Sequence, residues 1–453
     1  MHRSGSRVVA FLIFTSVMGL GTLALVGSEY LAEREPITID WASRRQMLDG
    51  FGAASGGNVP TMTPAQLDFF YTDAGIHLTF IRLDIYPDLV DCDTNEGAGK
   101  CVKVNAGATL SAADLTNAQG AVARGAVVWA AEWSPPGPMK SNRSFMTGGA
   151  MENGPDDANF KELAEIQTSF VTLLTQTYGM PIYALSVQNE PDLSTSYPSC
   201  TWTPQQIHDY IPYLASALRK AGYGSTKLVV AEPSSWQNTY ASVAMRDARV
   251  AAEIGILAAH GYRSKATPLS YDNLTGQHQW QTEVSDFDIY DGSIGSALTY
   301  ATMIHDWLTV ARVNSWQYWL LTGQDDFPDN EGLTDVKGNI AKRAYAFGNF
   351  SKFVRPGWSA VEVTNSTHLL VSAYRSREGD AAIVVVNNGR KAANPLFRVG
   401  AAMGAAVTPW VTSSRENLAR HPSIAVSAGS FKYSIPPSSV VTFSTTQSGT
   451  GSL

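Results

Sequence analysis

Between Gln46 and Leu321, short runs of apolar, β-branched and aromatic residues alternate with longer stretches whose apolar positions recur at helical spacing. The short runs fall near 47–53, 79–84, 126–132, 182–189, 227–231, 256–260, 280–284 and 315–321. They are apolar almost throughout instead of alternating, which suits strands buried on both faces. The stretches between them carry helix signals. Thr63-Pro64 and Thr203-Pro204 each place a capping hydroxyl before a first-turn proline, Ser111 caps a helix running to Arg124, and Ser293 to Arg312 is amphipathic. Over 159–178, Phe160, Leu163, Ile166, Phe170, Val171 and Leu174 share one helical face. Strands alternating with helices predict a parallel sheet wrapped by helices, and eight strands close a (β/α)8 TIM barrel. No helix signal stands between Tyr262 and Gln279, so the sixth helix is expected to be short or missing.

Past Arg355-Pro356-Gly357 the period changes to short alternating runs at 368–374, 381–387, 396–399, 407–411, 423–426, 431–435 and 440–444. Such spacing predicts an all-β sandwich. The isolated strand Ile37-Thr38-Ile39 has no hairpin partner nearby and is expected to join it. The predicted division is a barrel over 46–355, a sandwich built from 36–45 plus 356–445, and a disordered tail at 446–453.

Net charge is −7 with no basic run, which argues against a nucleic-acid partner. Arg3 and Arg7 precede an apolar run from Val8 to Val26, so residues 1–28 read as a signal peptide or a retained N-terminal anchor. The protein is expected to be secreted or extracytoplasmic, or membrane-anchored facing outside, and to act as a monomer. Cys92 and Cys101 flank a short loop they could close, leaving Cys200 unpaired. No Cys/His spacing suggests zinc, and no cofactor is expected. Asn142, Asn273, Asn349 and Asn365 stand in glycosylation triplets.

The candidate chemistry sits at strand tips. Ser186-Val187-Gln188-Asn189-Glu190-Pro191-Asp192 ends the fourth strand, because proline cannot continue a central ladder. At a barrel's C-terminal rim, Glu190 could deliver a proton while Asn189 binds a substrate hydroxyl. Glu283, at the tip of the seventh strand, faces the fourth across the mouth, so two carboxylates could flank one glycosidic bond. Arg82, expected at the tip of strand two, would hold Glu283 ionised. Trp133, His260, Tyr262 and Trp319, at the tips of strands three, six and eight, offer faces for a sugar ring. Glu132 is a reserve carboxylate, and Glu232 reads as a subsite residue or, in preference, a solvated strand end.

Five blocks in order carry a family resemblance: Asp49-Gly50-Phe51-Gly52-Ala53, Trp133-Ser134-Pro135-Pro136, Ser186 to Asp192, Trp280-Gln281-Thr282-Glu283, and Phe350-Ser351-Lys352-Phe353-Val354-Arg355-Pro356-Gly357. With these the chain resembles glycoside hydrolase family 30, in particular its endo-β-1,4-xylanase and glucuronoxylanase branch. The resemblance implies Glu190 as acid/base, Glu283 as nucleophile and Asn189 on the sugar 2-hydroxyl. The reaction is then a retaining double displacement, which needs carboxyl groups about 5 Å apart. Where the glucuronoxylan-specific relatives have a basic loop after strand eight, this chain has Asp325, Asp326, Asp329 and Glu331. Those carboxylates would repel a uronate, so xylan cleavage that does not depend on glucuronate branches is expected. Their spacing does not follow the calcium-loop form. The alternatives are a β-1,6-galactanase or β-1,6-glucanase, an exo-acting xylobiohydrolase should the 88–105 insertion or the long loop after strand eight close one end of the cleft, and a non-catalytic carbohydrate-binding protein.

Overall fold

The computed structural model describes residues 36–57, 59–87, 101–104, 108–324, 328–366 and 368–445. The N-terminal leader, most of the 88–105 insertion, the pairing of Cys92 with Cys101, Asp325, Asp326 and the tail lie outside the described residues. Among the described cysteines, Cys200 is a buried free thiol.

Eight parallel strands form the barrel: β1 (Gly50–Ser55), β2 (Phe80–Pro87), β3 (Val127–Glu132), β4 (Ile182–Ser186), β5 (Lys227–Ala231), β6 (Ile254–Ala259), β7 (His278–Gln281) and β8 (Ser315–Leu320). Each pairs with the next, and β8 returns to β1 with Ser315 opposite Gly50, which closes the cylinder. All eight expected strands are present and in order. Three of the expected tips that carry site residues are misplaced, β7 among them, which ends at Gln281, two residues short of Glu283. β4 stops at Ser186 and not at Asn189, because Asn189 N–H bonds the Glu132 carbonyl and Glu190 N–H the Glu232 carbonyl, so the chain leaves the ladder. Arg82 is not a tip residue: the β2–β3 ladder continues past it through Asp84 and Ile85.

The helices begin where their caps say. Thr63 and Thr203 form capping boxes with Gln66 and Gln206, and Ser111 caps Ala112–Val122. Phe160, Leu163, Ile166, Phe170 and Leu174 of the helix Ala158–Gln176 are buried against the sheet. Each such side chain contributes about 1.5–3 kcal/mol of burial. No helix separates β6 from β7.

The side region is one continuous sheet, not two separate ones. From Ile37–Met47 it runs through Ser359–Thr364, Leu370–Arg375, Ala381–Asn387 and Ser439–Ser444 to Ala406–Thr412; in the other direction it runs to Leu396–Arg398 and Ser430–Lys432. Register shifts near Arg44 bend the long N-terminal strand. The sheet curls until Phe397 and Phe431 meet Phe443, with ring centroids 5.3 and 4.9 Å apart, so two layers enclose one core. Lys352 and Asn349 pack the barrel against Trp410 of this region. Asn349 is fully buried there, which removes it as a glycosylation acceptor.

Candidate active site

Strand parity sorts the barrel's side chains. On β2, Ile81, Leu83 and Ile85 join the core under the helices, while Phe80, Arg82 and Asp84 alternate to the inside. Phe80, Trp129 and Trp280 fill the lower interior, with Phe80–Trp280 and Trp129–Trp280 centroids 4.9 and 5.8 Å apart. Arg82 lies on this aromatic floor. Its guanidinium carbon is 5.2 Å from the Trp129 ring, 5.9 Å from Trp133 and 5.4 Å from Trp319.

From that position Arg82 reaches both halves of the site. Nη1 donates to Glu283 Oε2 at 2.6 Å and Nη2 to Asn189 Oδ1 at 2.6 Å. Because the Asn189 carbonyl oxygen is taken, its Nδ2 is left to donate toward the cleft. Tyr262, half-buried, donates its hydroxyl to Glu283 Oε1 at 2.9 Å. His260 Nδ1 lies 3.2 Å from Glu190 Oε1, and Tyr197 donates to Glu190 Oε2 at 3.3 Å. Glu190 has a left-handed backbone at φ 45°, a conformation uncommon outside glycine and sustained here by its own N–H bond to the Glu232 carbonyl and by the Asn189 N–H bond to the Glu132 carbonyl.

One donor atom each from Glu190, His260 and Glu283 fall within 4.8 Å of one another. Carboxyl oxygens that close suit nucleophilic attack and protonation of one bond, since inverting pairs stand about 6.5–9.5 Å apart. The spacing alone could also hold a metal ion, but Arg82 and Tyr262 already occupy the Glu283 oxygens, so the donor set suits proton transfer better.

Burial sets the protonation states. It works against the Arg82 charge, but Glu232, Glu283, Asp84 and Glu190 outweigh it and hold the guanidinium above its usual value. Burial likewise opposes the His260 cation, yet Glu283, Glu190 and Glu232 push its pKa up to about 10. Glu283 is raised by burial, while His260, Arg82 and the Tyr262 hydroxyl pull it back. Burial lifts Asp84 to about 7 against the pull of Arg82. Glu331, half-buried beyond β8, rises to about 7 through burial and the nearby Asp329 and Glu283.

The eight residues expected from the sequence converge here, with Arg82 beneath the substrate surface and not on it. Two carboxylates differ from expectation. Glu132 follows the outward parity of Val128 and Ala130 and lies near Gln167 and Tyr210, behind the barrel wall, so it is no reserve acid. Glu232 is not solvated. It is fully buried, with Oε1 3.6 Å from His260 Nε2 and 3.7 Å from Arg82 Nη2. Tyr197 escaped sequence reading because Ser194-Thr195-Ser196-Tyr197 has neither periodicity nor motif. Its ring, 5.6 Å from Trp133, extends the aromatic wall, and on the other side exposed Phe287 stacks on Tyr262 at 6.0 Å.

Residues 109–323 match the glycosyl hydrolase family 30 TIM-barrel domain. Glucuronoxylanase XynC of Bacillus subtilis is 27% identical over 456 residues, covering 96% of each chain. Endo-1,6-beta-D-glucanase of Neurospora crassa is 25% identical over 397 residues, covering 76% of this chain and 80% of that protein. Among solved structures, the family 30 subfamily 8 xylanase Xyn30A from Clostridium acetobutylicum superposes with a TM-score of 0.77 at 28% identity, covering 90% of this chain and 99% of that one.

Proposed function

The chain belongs to glycoside hydrolase family 30, and from that premise we propose that it is a retaining endo-β-1,4-xylanase whose cleavage does not depend on glucuronate branches. The observation that carries the mechanism is the pair of glutamates with oxygens within 4.8 Å. Glu283, oriented by Arg82 and Tyr262, attacks the anomeric carbon while Glu190 protonates the glycosidic oxygen. As the Glu283 charge is consumed in the glycosyl ester, Glu190 takes a proton from water, which then releases the sugar with retained configuration. Asn189 Nδ2 serves the 2-hydroxyl, and Trp133, Trp319 and Tyr197 bound the sugar ring. His260 steadies Glu190 from below.

Xylan is favoured as the substrate because the relatives matched over nearly their whole length are named for it. Branch independence is supported by the acidic character of the strand-eight rim: Glu331 lies close enough to Glu283 to feel its charge, and Asp329 stands beside Glu331. A glucuronate placed there would meet these carboxylates. The basic and apolar segment at residues 1–28 fits export to the polymer.

The test is a product profile on glucuronoxylan, arabinoxylan, unbranched xylo-oligosaccharides and β-1,6-linked glucan and galactan, with Glu283→Gln as control. Cleavage of unbranched xylo-oligosaccharides to products of retained configuration is expected. Activity confined to glucuronoxylan would overturn branch independence; activity confined to a β-1,6 polymer would overturn xylan.

A further inference from the structure

We propose that Glu232, which touches no substrate, is a positioning residue whose negative charge balances His260 and Arg82 and thereby keeps the exchangeable proton of the site on Glu190. The inference rests on the acid/base reading of Glu190 given above.

Glu232 is placed with care for a residue outside the reaction. It follows β5, is completely buried, and has a left-handed backbone at φ 52°. Neither carboxylate oxygen makes a hydrogen bond of ordinary length; the nearest cationic donors are His260 Nε2 at 3.6 Å and Arg82 Nη2 at 3.7 Å. A buried carboxylate held mainly by charge is a poor structural device, because an apolar side chain of similar volume would serve at least as well. What an apolar side chain cannot supply is the charge.

The charges of the site close only when Glu232 is counted. Arg82 and Asp84 face the centre from β2, Glu190 and Tyr197 from beyond β4, Glu232 from beyond β5, and His260 and Tyr262 from beyond β6. Glu283 and Glu331 complete the ring from beyond β7 and β8. Arg82 and His260 are cations. Asp84 and Glu331 are pushed by burial toward the neutral form, whereas Arg82, His260 and Ser186 outweigh burial to hold Glu232 below the usual carboxylate range. Arg82 and His260 thus face three carboxylates, Glu190, Glu232 and Glu283, so one proton remains among them, and the acid/base reading places it on Glu190. His260, 3.2 Å from Glu190 Oε1 and 3.6 Å from Glu232, is the link between them.

Removing the Glu232 charge leaves the two cations over two carboxylates, Glu283 and Glu190, and so favours loss of the proton from Glu190, which His260 touches. Glu232→Gln should move the alkaline limb of kcat/KM on xylo-oligosaccharides to lower pH by about one unit, the lower end of what one nearby charge does. His260→Gln, which removes the opposing cation, should move it upward. Glu232→Asp should restore most of the wild-type limb. With an activated dinitrophenyl β-xyloside, whose leaving group needs no proton, the loss in Glu232→Gln should fall to a few-fold.

A single unshifted limb, or equal losses on both substrates, in a Glu232→Gln protein that melts like wild type would overturn the proposal. If that variant fails to fold, the sign of the His260→Gln shift decides, a downward or absent shift overturning it. Failure of the underlying reading shows separately: Glu190→Gln would then leave xylo-oligosaccharide cleavage and its alkaline limb unchanged.

Discussion

The lower and upper halves of the barrel interior are built on the same strands and could hardly differ more. On β2, Phe80 packs among Trp129 and Trp280, and two residues on, about 7 Å further up, Arg82 faces four carboxylates. Below, rings meet at ordinary packing distances. Above, Glu232 Oε1 and Oε2, His260 Nε2, Arg82 Nε and Asp84 Oδ1 are buried without a hydrogen bond of ordinary length. The lower half is organised for stability and the upper half for charge. The difference teaches how an unusually crowded site stays in register: the aromatic floor holds Arg82 rigidly, and Arg82 in turn fixes Glu283 and Asn189.

If that division is right, changes above should cost rate and changes below should cost stability. The largest effect is expected at the acid: Glu190→Gln should lower kcat on xylo-oligosaccharides by roughly 10²–10⁴-fold, with a melting temperature no lower than wild type by thermal denaturation. Trp280→Ala, in the floor, should cost about 3–5 kcal/mol of stability in a denaturant titration. An unchanged transition midpoint would break the comparison.

Glu132 sharpens it, because it is an ionisable group on the wrong side of the wall. Burial raises its carboxyl from 4.5 to about 8. The folded protein then binds more protons than the unfolded chain between those values, so stability falls as pH rises through that window. Glu132→Gln should recover about 4 kcal/mol at pH 8 and little at pH 4.5, read as melting curves across pH, with kcat nearly unaffected.

Arg82→Lys keeps one charge but not the fork that reaches two partners. It should lower kcat roughly tenfold, about 1.4 kcal/mol, while KM changes little. The smallest effect is expected at the rim, where Phe287→Ala removes the exposed ring stacked on Tyr262. Steady-state kinetics on long xylo-oligosaccharides should show KM raised a few-fold, about 0.5–1.5 kcal/mol, with short substrates insensitive.

Much of the barrel was legible because its signals are local. A buried parallel strand is a short apolar run, a helix start is Thr-Pro or Ser before an apolar face, and a missing helix is a stretch without either. The side region was less so. Ser359–Thr364 and Ala419–Arg420 were not expected, and the continuity of the sheet depends on how Ile37–Met47 bends between partners more than 300 positions away. The two glutamates were legible by motif and by facing tips. Glu132 and Glu232 were not, since each is a carboxylate ending a strand, and nothing local says which of them turns toward the helices and which toward Arg82.

The sequence by itself determined the order of elements, the acid beside Asn189 and the carboxylate across from it, because backbone propensity, caps and strand ends depend on neighbours along the chain. Only the tertiary structure decided the depth of Arg82, the burial of Glu232 and the arrival of Tyr197 at Glu190. Those depend on closing eight strands into a cylinder, which brings together charges from five loops in a low-dielectric space where each one resets the protonation of the others.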